Sequence, residues 1–526
     1  MKKIFLTTVA VLTTLVFASA QSKFESGAAT VDAGPGYPVL EFGMQGGKPY
    51  FAHRKIFFDG TNVIEVRGEK GHLYIQRFNK SSMKIISTND YTDVEKNFIY
   101  EDCIQLKDKI FIFFSDYPGK THIPKLYIRE VDLEKGTFKA PFIELFSAES
   151  KIDNDYLTYP NNTKFSFHVS TDSLSFLVKY IRKSSTGMWQ TGPETHGMYV
   201  FNGELKKIRG SEVLLPVHDY QMVPIGFTLD ASGNIYMAAK IFGKKDKYNV
   251  NEALDNEYKA ALYKLEPAKT EFAKINLDLG GKSATDIKIF NNPDGYLLCA
   301  GTYANAGSIS KTKGVFICNM NENGTTGDVK ILDINPEILK PSGGKSKNSP
   351  IDYLKVSEIK PQADKSIIVV AEQRFSINGA SGTAYKYYDL FLIKLDTSRN
   401  MIWLKQLPKR CRSISTTEYF RYLYLQNGNS INIVYFDDYN NLGAYSNSKE
   451  MDDYFESKHG YVNCYNINAS SGEISTFPVF DMKNIKGVEY HNYDIEFGIN
   501  FKTDEIWLEV YKKSKENCML RVKFKE

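Results

Sequence analysis

The chain has 526 residues, a formal net charge of +4 and 13% aromatic residues, with 34 Tyr and 34 Phe against 3 Trp. That near-neutral balance excludes nucleic acid or an anionic membrane surface as a charge-driven partner. Six cysteines in a chain of this length exclude a disulfide framework, and the wealth of Tyr and Phe favours strands.

In chain order, the first element is an export signal over residues 1–20. Lys2 and Lys3 form its positive end, residues 4–17 its apolar stretch, and Ala18-Ser19-Ala20 its small-residue cleavage site. No Cys follows at Gln21, so the usual lipid-attachment site is missing. No later run reaches the ~18 consecutive apolar residues of a transmembrane segment. The expected location is periplasmic or extracellular, with association to the outer membrane, and residues 21–526 are expected to form one domain.

A solitary strand follows at 37–42, bounded by Gly34-Pro35-Gly36 and Gly46-Gly47. Beyond it, short apolar runs broken by Gly, Asn, Asp and Pro recur in a unit of about 60 residues, the signature of strands in a repeat. Second strands begin near Val63, Lys109, Ser173, Asn234, Gly295, Ser366, Asn429 and Glu505, which counts eight units. Ile110, Phe111, Ile112, Phe113 and Phe114 are apolar on both faces, so that strand needs cover on both sides. The clearest unit spans 225–277: four strands, with Asp230-Ala231-Ser232-Gly233-Asn234 turning between the first two. Third strands end on a repeated mark, an apolar residue followed by Asn or Asp entering a turn, at Asn79, Asp132, Asn321, Asp396 and Asn468. The last unit supplies only three strands, at 493–501, 505–511 and 518–525. Cys518, Leu520, Val522 and Phe524 alternate there with polar or long residues, as in a strand with one wet face.

The expected fold is therefore an all-β, eight-bladed β-propeller of four-stranded antiparallel blades. It is closed by the N-terminal strand 37–42 joining the last blade at 493–526. Seven blades is the alternative, should the first unit not form one.

The stretch from Asp230 to Ala238 resembles the strand-turn-strand of NHL-like and YVTN-like propellers, and Asn292-Pro293-Asp294-Gly295 is a degenerate copy. The Tyr- and Asn-rich strands, the Gln after the signal and the missing lipid-attachment site are similar to exported propeller proteins of Bacteroidota. That resemblance implies an accessory role in an outer-membrane export complex of the type IX kind. It implies no functional residue.

Length variation falls on one rim. The long connections between second and third strands span 116–125, 182–196, 243–259, 304–313, 375–388 and 438–460, whereas the opposite turns are tight. Long loops on a rigid scaffold are where function resides. Their aromatic residues Trp189, Tyr248, Tyr387, Tyr388, Tyr439, Tyr445 and Phe455 are the candidate partner-binding residues, because Tyr and Trp dominate interfaces. Residues 251–259 and 449–458 have the composition of short helices.

No catalytic, cofactor-binding or metal-binding residue is assigned. The eight histidines lack metal-ligand spacing, and neither a nucleophile elbow nor a phosphate loop occurs. Asp437-Asp438 and Asp452-Asp453 are the acidic pairs to weigh as glycosidase or calcium carboxylates, against solvated loop charge. Cys299 and Cys318 fall in runs that pair as one hairpin, which leaves both a cross-strand disulfide and buried free thiols open. The function expected is a non-catalytic cell-envelope module binding a protein partner through its aromatic loop-rich face. The alternative is a glycan-binding or glycan-cleaving enzyme with carboxylates at the central funnel.

Overall fold

Side chains alternate between the two faces of a strand, so a strand apolar on both faces is stable only between two other layers. The computed structural model meets that demand in every blade. It describes residues 29–38, 44–45, 48–49, 54–69, 72–92, 98–116, 123–152, 164–182, 193–218, 221–242, 258–291, 296–305, 311–321, 323–335, 339, 351–379, 382–413, 422–442, 451–454, 460–481, 488–489, 498–500, 505–512 and 516–525.

Eight antiparallel sheets follow one another around a ring. Blade 1 comprises Arg54–Asp59, Asn62–Glu69, His72–Asn79 and Ile85–Tyr91, so the first unit does form a blade and the count is eight rather than seven. Blade 2 comprises Phe98–Leu106, Lys109–Asp116, Lys125–Asp132 and a split outer strand, Thr137–Phe138 with Ile143–Ser147. Blade 3 is Ser166–Val169, Ser175–Ile181, Pro193–Asn202 and Lys207–His218; blade 4 is Met222–Leu229, Ile235–Phe242, Tyr258–Leu265 and Ala273–Ile275. Blade 5 is Ser283–Asn291, Leu297–Ala304, Gly314–Met320 and Lys330–Asp333; blade 6 is Leu354–Pro361, Ile367–Gly379, Gly382–Leu395 and Met401–Leu407. Blade 7 is Leu423–Asn427, Ser430–Asp438, Gly460–Asn468 and Ile474–Asp481. Blade 8 joins both ends of the chain: Gly498–Asn500, Glu505–Lys512 and Glu516–Phe524 from the C-terminal end, Ala29–Ala33 from the N-terminal end.

The core is divided among the blade interfaces. Ile110, Ile112 and Phe114 face blade 1, whereas Phe111 and Phe113 on the same strand face blade 3. The same alternation sends Ile235, Met237 and Ala239 to blade 3 and Tyr236 and Ala238 to blade 5. Eight apolar clusters result, one for each contact between neighbouring blades, including the contact of blade 8 with blade 1.

The N-terminal segment completes blade 8. Ala29–Ala33 pairs with 520–524, from Ala29 opposite Phe524 to Ala33 opposite Leu520, and Tyr37–Pro38 pairs with the start of the same strand. The closing strand thus begins upstream of the expected 37–42, of which 39–42 lie outside the described residues. The C-terminal strand is also drier than expected. Met519 is buried against blade 1 while Cys518, Leu520 and Val522 are buried against blade 7. Among the described residues no helix is long and apolar enough to cross a membrane.

Candidate interaction face

The two rims differ in backbone chemistry. Turns between first and second strands, and between third and fourth, are tight and use left-handed residues: Gly60, Lys107, Gly136, Ser173, Leu205, Gly233, Lys365, Arg399, Gly428 and Gly472 all have positive φ. The Asn and Asp residues at third-strand ends bond these turns. Asn79 Oδ1 accepts the amides of Ser81 and Ser82, Asp132 Oδ1 those of Glu134 and Lys135, and Asn468 Oδ1 those of Ser470 and Ser471. On the opposite rim, among the described residues, Tyr353 is the non-glycine residue with positive φ, at 59°. Held backbone strain of that kind belongs with sites that the surrounding structure over-determines.

Tyr353 stands at the foot of an arm. Second and third strands of 13 and 14 residues make blade 6 taller than its neighbours. The first strand of that blade starts at Leu354, opposite Gln373, so residues 374–379 and 382–387 rise above it as a hairpin, with Cys411–Ser413 flanking Tyr385–Tyr387. Six residues of strand reach about 20 Å. Residues 375–379 and 382–388 of the expected loop are therefore strand.

The foot of the arm is fixed by buried charge. Lys409 Nζ lies 2.9 Å from Glu372, and both side chains are fully buried. Arg410 pairs with Asp389, Arg374 reaches Glu372 at 2.6 Å, and Gln406 donates to Asp389. Buried charges that satisfy one another in this way hold one geometry, because losing either partner leaves the other uncompensated. Lys386 ties the arm to Asp453 of the blade 7 connection, and Tyr454 bridges to Cys411. Residues 451–454 form no helix, where the composition of 449–458 suggested one, and Tyr454 makes an isolated bridge.

Three candidate aromatics fall among the described residues. Tyr388 is half-buried, edge-on to Phe375 at 5.2 Å, with the Arg410 guanidinium 4.3 Å above its ring. Burial and the Asp453 carboxylate hold its phenol well above the usual range. Phe375 also stacks toward Tyr353 at 5.5 Å. Tyr439 opens the short turn Tyr439–Asn441 and leans on Tyr461 at 5.9 Å, on blade 7 rather than on the arm. Tyr387, at the base of the arm, turns inward and is buried in the core shared by blades 6, 7 and 8. Trp189, Tyr248, Tyr445 and Phe455 lie outside the described residues. The sequence reading missed Ile377, which the arm exposes at 50%. Its signal was Ile377-Asn378-Gly379 followed by Gly382, a hairpin turn inside a Tyr-rich run.

The first strands carry recurrent bulges. Glu101, Ile225, Thr285 and Ser357 each stand one residue out of register with the second strand of their blade. Three of these side chains connect inward. Ser115 donates to Glu101, which also accepts the amides of Lys164 and Phe165 from blade 3 at 2.7 and 3.2 Å. Burial pushes the Glu101 carboxyl up to about 7. Thr285 bonds Thr302, which donates to the Leu354 carbonyl of blade 6, and Arg374 donates to Ser357.

Two carboxylates of the first strands face lysines. Asp102 pairs with Lys55 at 2.7 Å, and Glu358 with Lys360 at 2.5 Å. Asp437 and Asp438 diverge. Asp437 is buried, accepts from Asn441 and Tyr461, and is pushed up to about 6 by burial; Asp438 accepts the Asn440 amide. Among the described residues no three His, Cys, Asp or Glu side chains converge as metal ligands. All six cysteines are buried and free, with Cys299 directly opposite Cys318; the hydrogen bond between their thiols and burial push Cys299 up.

No known family model matches the chain, and no curated protein matches it. Solved structures with a related course include one of two prolyl endopeptidases described together (TM-score 0.38, 11% identity, 96% of this chain and 60% of that one). An acylaminoacyl peptidase is similar at TM-score 0.37 and 11% identity, over 88% of this chain and 58% of that one. The β-propeller domain of the trilobed protease from Pyrococcus furiosus is similar at TM-score 0.34 and 12% identity, over 80% and 97%. The chain spans under two thirds of the length of the two peptidases.

Proposed function

We propose that this protein is a non-catalytic interaction module of the cell envelope, exported by its N-terminal signal, that binds a protein partner through the rim bearing the blade 6 arm. The observation that carries this reading is the arm itself: an exposed Ile377 on a ladder whose foot is a buried network of Glu372, Lys409, Asp389 and Arg410. A rigid support under an apolar, aromatic projection is how an anchor enters a partner's pocket at little ordering cost. The resemblance to exported Bacteroidota propellers further supports a place as an accessory subunit of an outer-membrane export complex. The glycan-cleaving alternative needs two facing carboxylates. It draws less support here, because Asp102 and Glu358 each face a lysine.

The test is affinity purification of the tagged protein from native membranes, beside an Ile377→Asp variant. The wild type is expected to retain a stoichiometric outer-membrane protein, and the variant to lose it while melting at the same temperature. A clean monomer that cleaves a glycan would overturn the reading.

A further inference from the structure

Each second strand turns polar toward the loop-bearing rim. In blade order the residues are Arg67, Ser115, Lys179, Lys240, Thr302, Glu372, Asp437 and Glu509. Most are answered from inside the protein. Arg67 pairs with Glu65 and Glu509, Ser115 bonds Glu101, Thr302 bonds Thr285, Glu372 meets Lys409, and Asp437 accepts from Asn441. Lys240 is the departure. Among the described residues its ammonium makes no hydrogen bond and no ion pair. It stands 4.5 Å above the Tyr258 ring, and the Tyr258 hydroxyl is already committed to the Thr285 carbonyl.

Three blades supply the surroundings of Lys240. The Tyr258 hydroxyl meets the carbonyl of Thr285, next to Asp286; Asp286 lies opposite Thr302, and Thr302 donates to the carbonyl of Leu354, next to Lys355. That chain of contacts sets Asp286 of blade 5 and Lys355 of blade 6 around Lys240, the first as an opposite charge and the second as a like one. Lys240, Asp286, Lys355 and Tyr258 are all partly exposed, so solvent reaches the group. First strands start at the loop-bearing rim, which places the cluster at that mouth of the ring.

We propose that Lys240, Lys355 and Tyr258 form an anion site whose ligand is a carboxylate, from a small organic acid or a peptide C-terminus. Two ammonium groups against one carboxylate leave a single positive charge, which a monoanion neutralises. Asp286 disfavours a phosphate dianion. The Tyr258 face shields one side of Lys240 and leaves the other for the ligand, so the ammonium donates to an oxygen it now lacks. Burial, with Lys355 beside it, holds Lys240 down at about 8. A bound carboxylate relieves that like-charge contact, so ligand and proton favour one another. The site stands whether or not a partner occupies the arm.

The test is calorimetric titration of the mature protein with acetate, with N-acetyl-diglycine as free acid and as C-terminal amide, and with inorganic phosphate. Wild type is expected to bind the acids, to ignore the amide, and to lose affinity as pH rises through about 8. Lys240→Met and Lys355→Met should each weaken the acids by about tenfold or more, while Lys274→Met, on the outer strand of blade 4, changes nothing. Acetate equal to the peptide acid identifies a small-acid site; a preference for the peptide identifies a C-terminus. Equal binding of acid and amide, phosphate tighter than acetate, or an unaffected Lys240→Met would overturn the proposal.

Discussion

Glu101 shows how one bulged residue couples two blades to solution pH. Its carboxyl bonds the second strand of its own blade and the backbone of the next, in a site that water does not reach. Burial raises it from an ordinary 4.5 to about 7, with Ser115 and Lys164 opposing the rise. Between those values the folded chain holds a proton that the unfolded chain has lost. The stabilisation from this group is therefore complete below pH 4.5 and falls away as pH rises toward 7. The whole effect is on the order of 3 kcal/mol. Glu101→Gln keeps the group neutral and preserves an acceptor for the Ser115 hydroxyl. Urea unfolding midpoints measured from pH 5 to 8 (about one transition per half unit) should fall for the wild type and flatten for the variant. Parallel curves would show that Glu101 does not titrate in this window. At this scale the sequence was readable where the chemistry is local. Asn79, Asp132 and Asn468 bond amides two and three residues on, so their role follows from position. Arg67 was unreadable because the carboxylate that it meets in Glu509 lies 442 residues away.

Elements were legible to the extent that their faces are apolar. The second strands announced themselves because both faces are buried. The blade 6 arm did not, since an arm with no core beneath its tip has no reason to alternate apolar and polar residues. Its signal was turn chemistry alone. The closing strand begins upstream of 37–42 for a related reason. Ala29-Thr30-Val31-Asp32-Ala33 is small and weakly apolar, yet it makes the longer ladder, with Asp32 bonded to Arg521 at 2.7 Å. A protein begun at Gly34 keeps Tyr37 but leaves the edge of 520–524 unpaired and loses the cover that Ala29 and Val31 give to the core between blades 7 and 8. Its melting temperature should fall by several degrees relative to a protein begun at Gln21. Equal melting would show that the Ala29–Ala33 ladder carries no stability.

At the scale of the whole molecule, eight apolar interfaces join the blades, and the break in covalent continuity around the ring falls within blade 8, where Ala29–Ala33 pairs with 520–524. Seven blades are each woven from one continuous stretch; blade 8 is woven from both ends, so strand pairing holds the ring shut there. Side-chain bonds reinforce the join. Tyr37 donates to Glu509, Arg67 of blade 1 pairs with the same carboxylate, and Arg521 donates to the Lys80 carbonyl at 2.8 Å. Circular permutation separates the contribution of that weave from the contribution of packing. Ala29 lies directly opposite Phe524, so a short linker can join these two residues as a turn of the kind that the other blades use. Opening the chain at 469–473, between the third and fourth strands of blade 7, makes Ile474–Asp481 the new closing strand and recreates the weave. Opening it between His218 and Met222 leaves blades 3 and 4 each complete and joined only by packing. The first permutant should melt close to the parent and the second clearly below it, although both carry the same linker and one cut. If the two melt together, packing between blades suffices to hold the ring, and the N-terminal strand serves only to cover an edge.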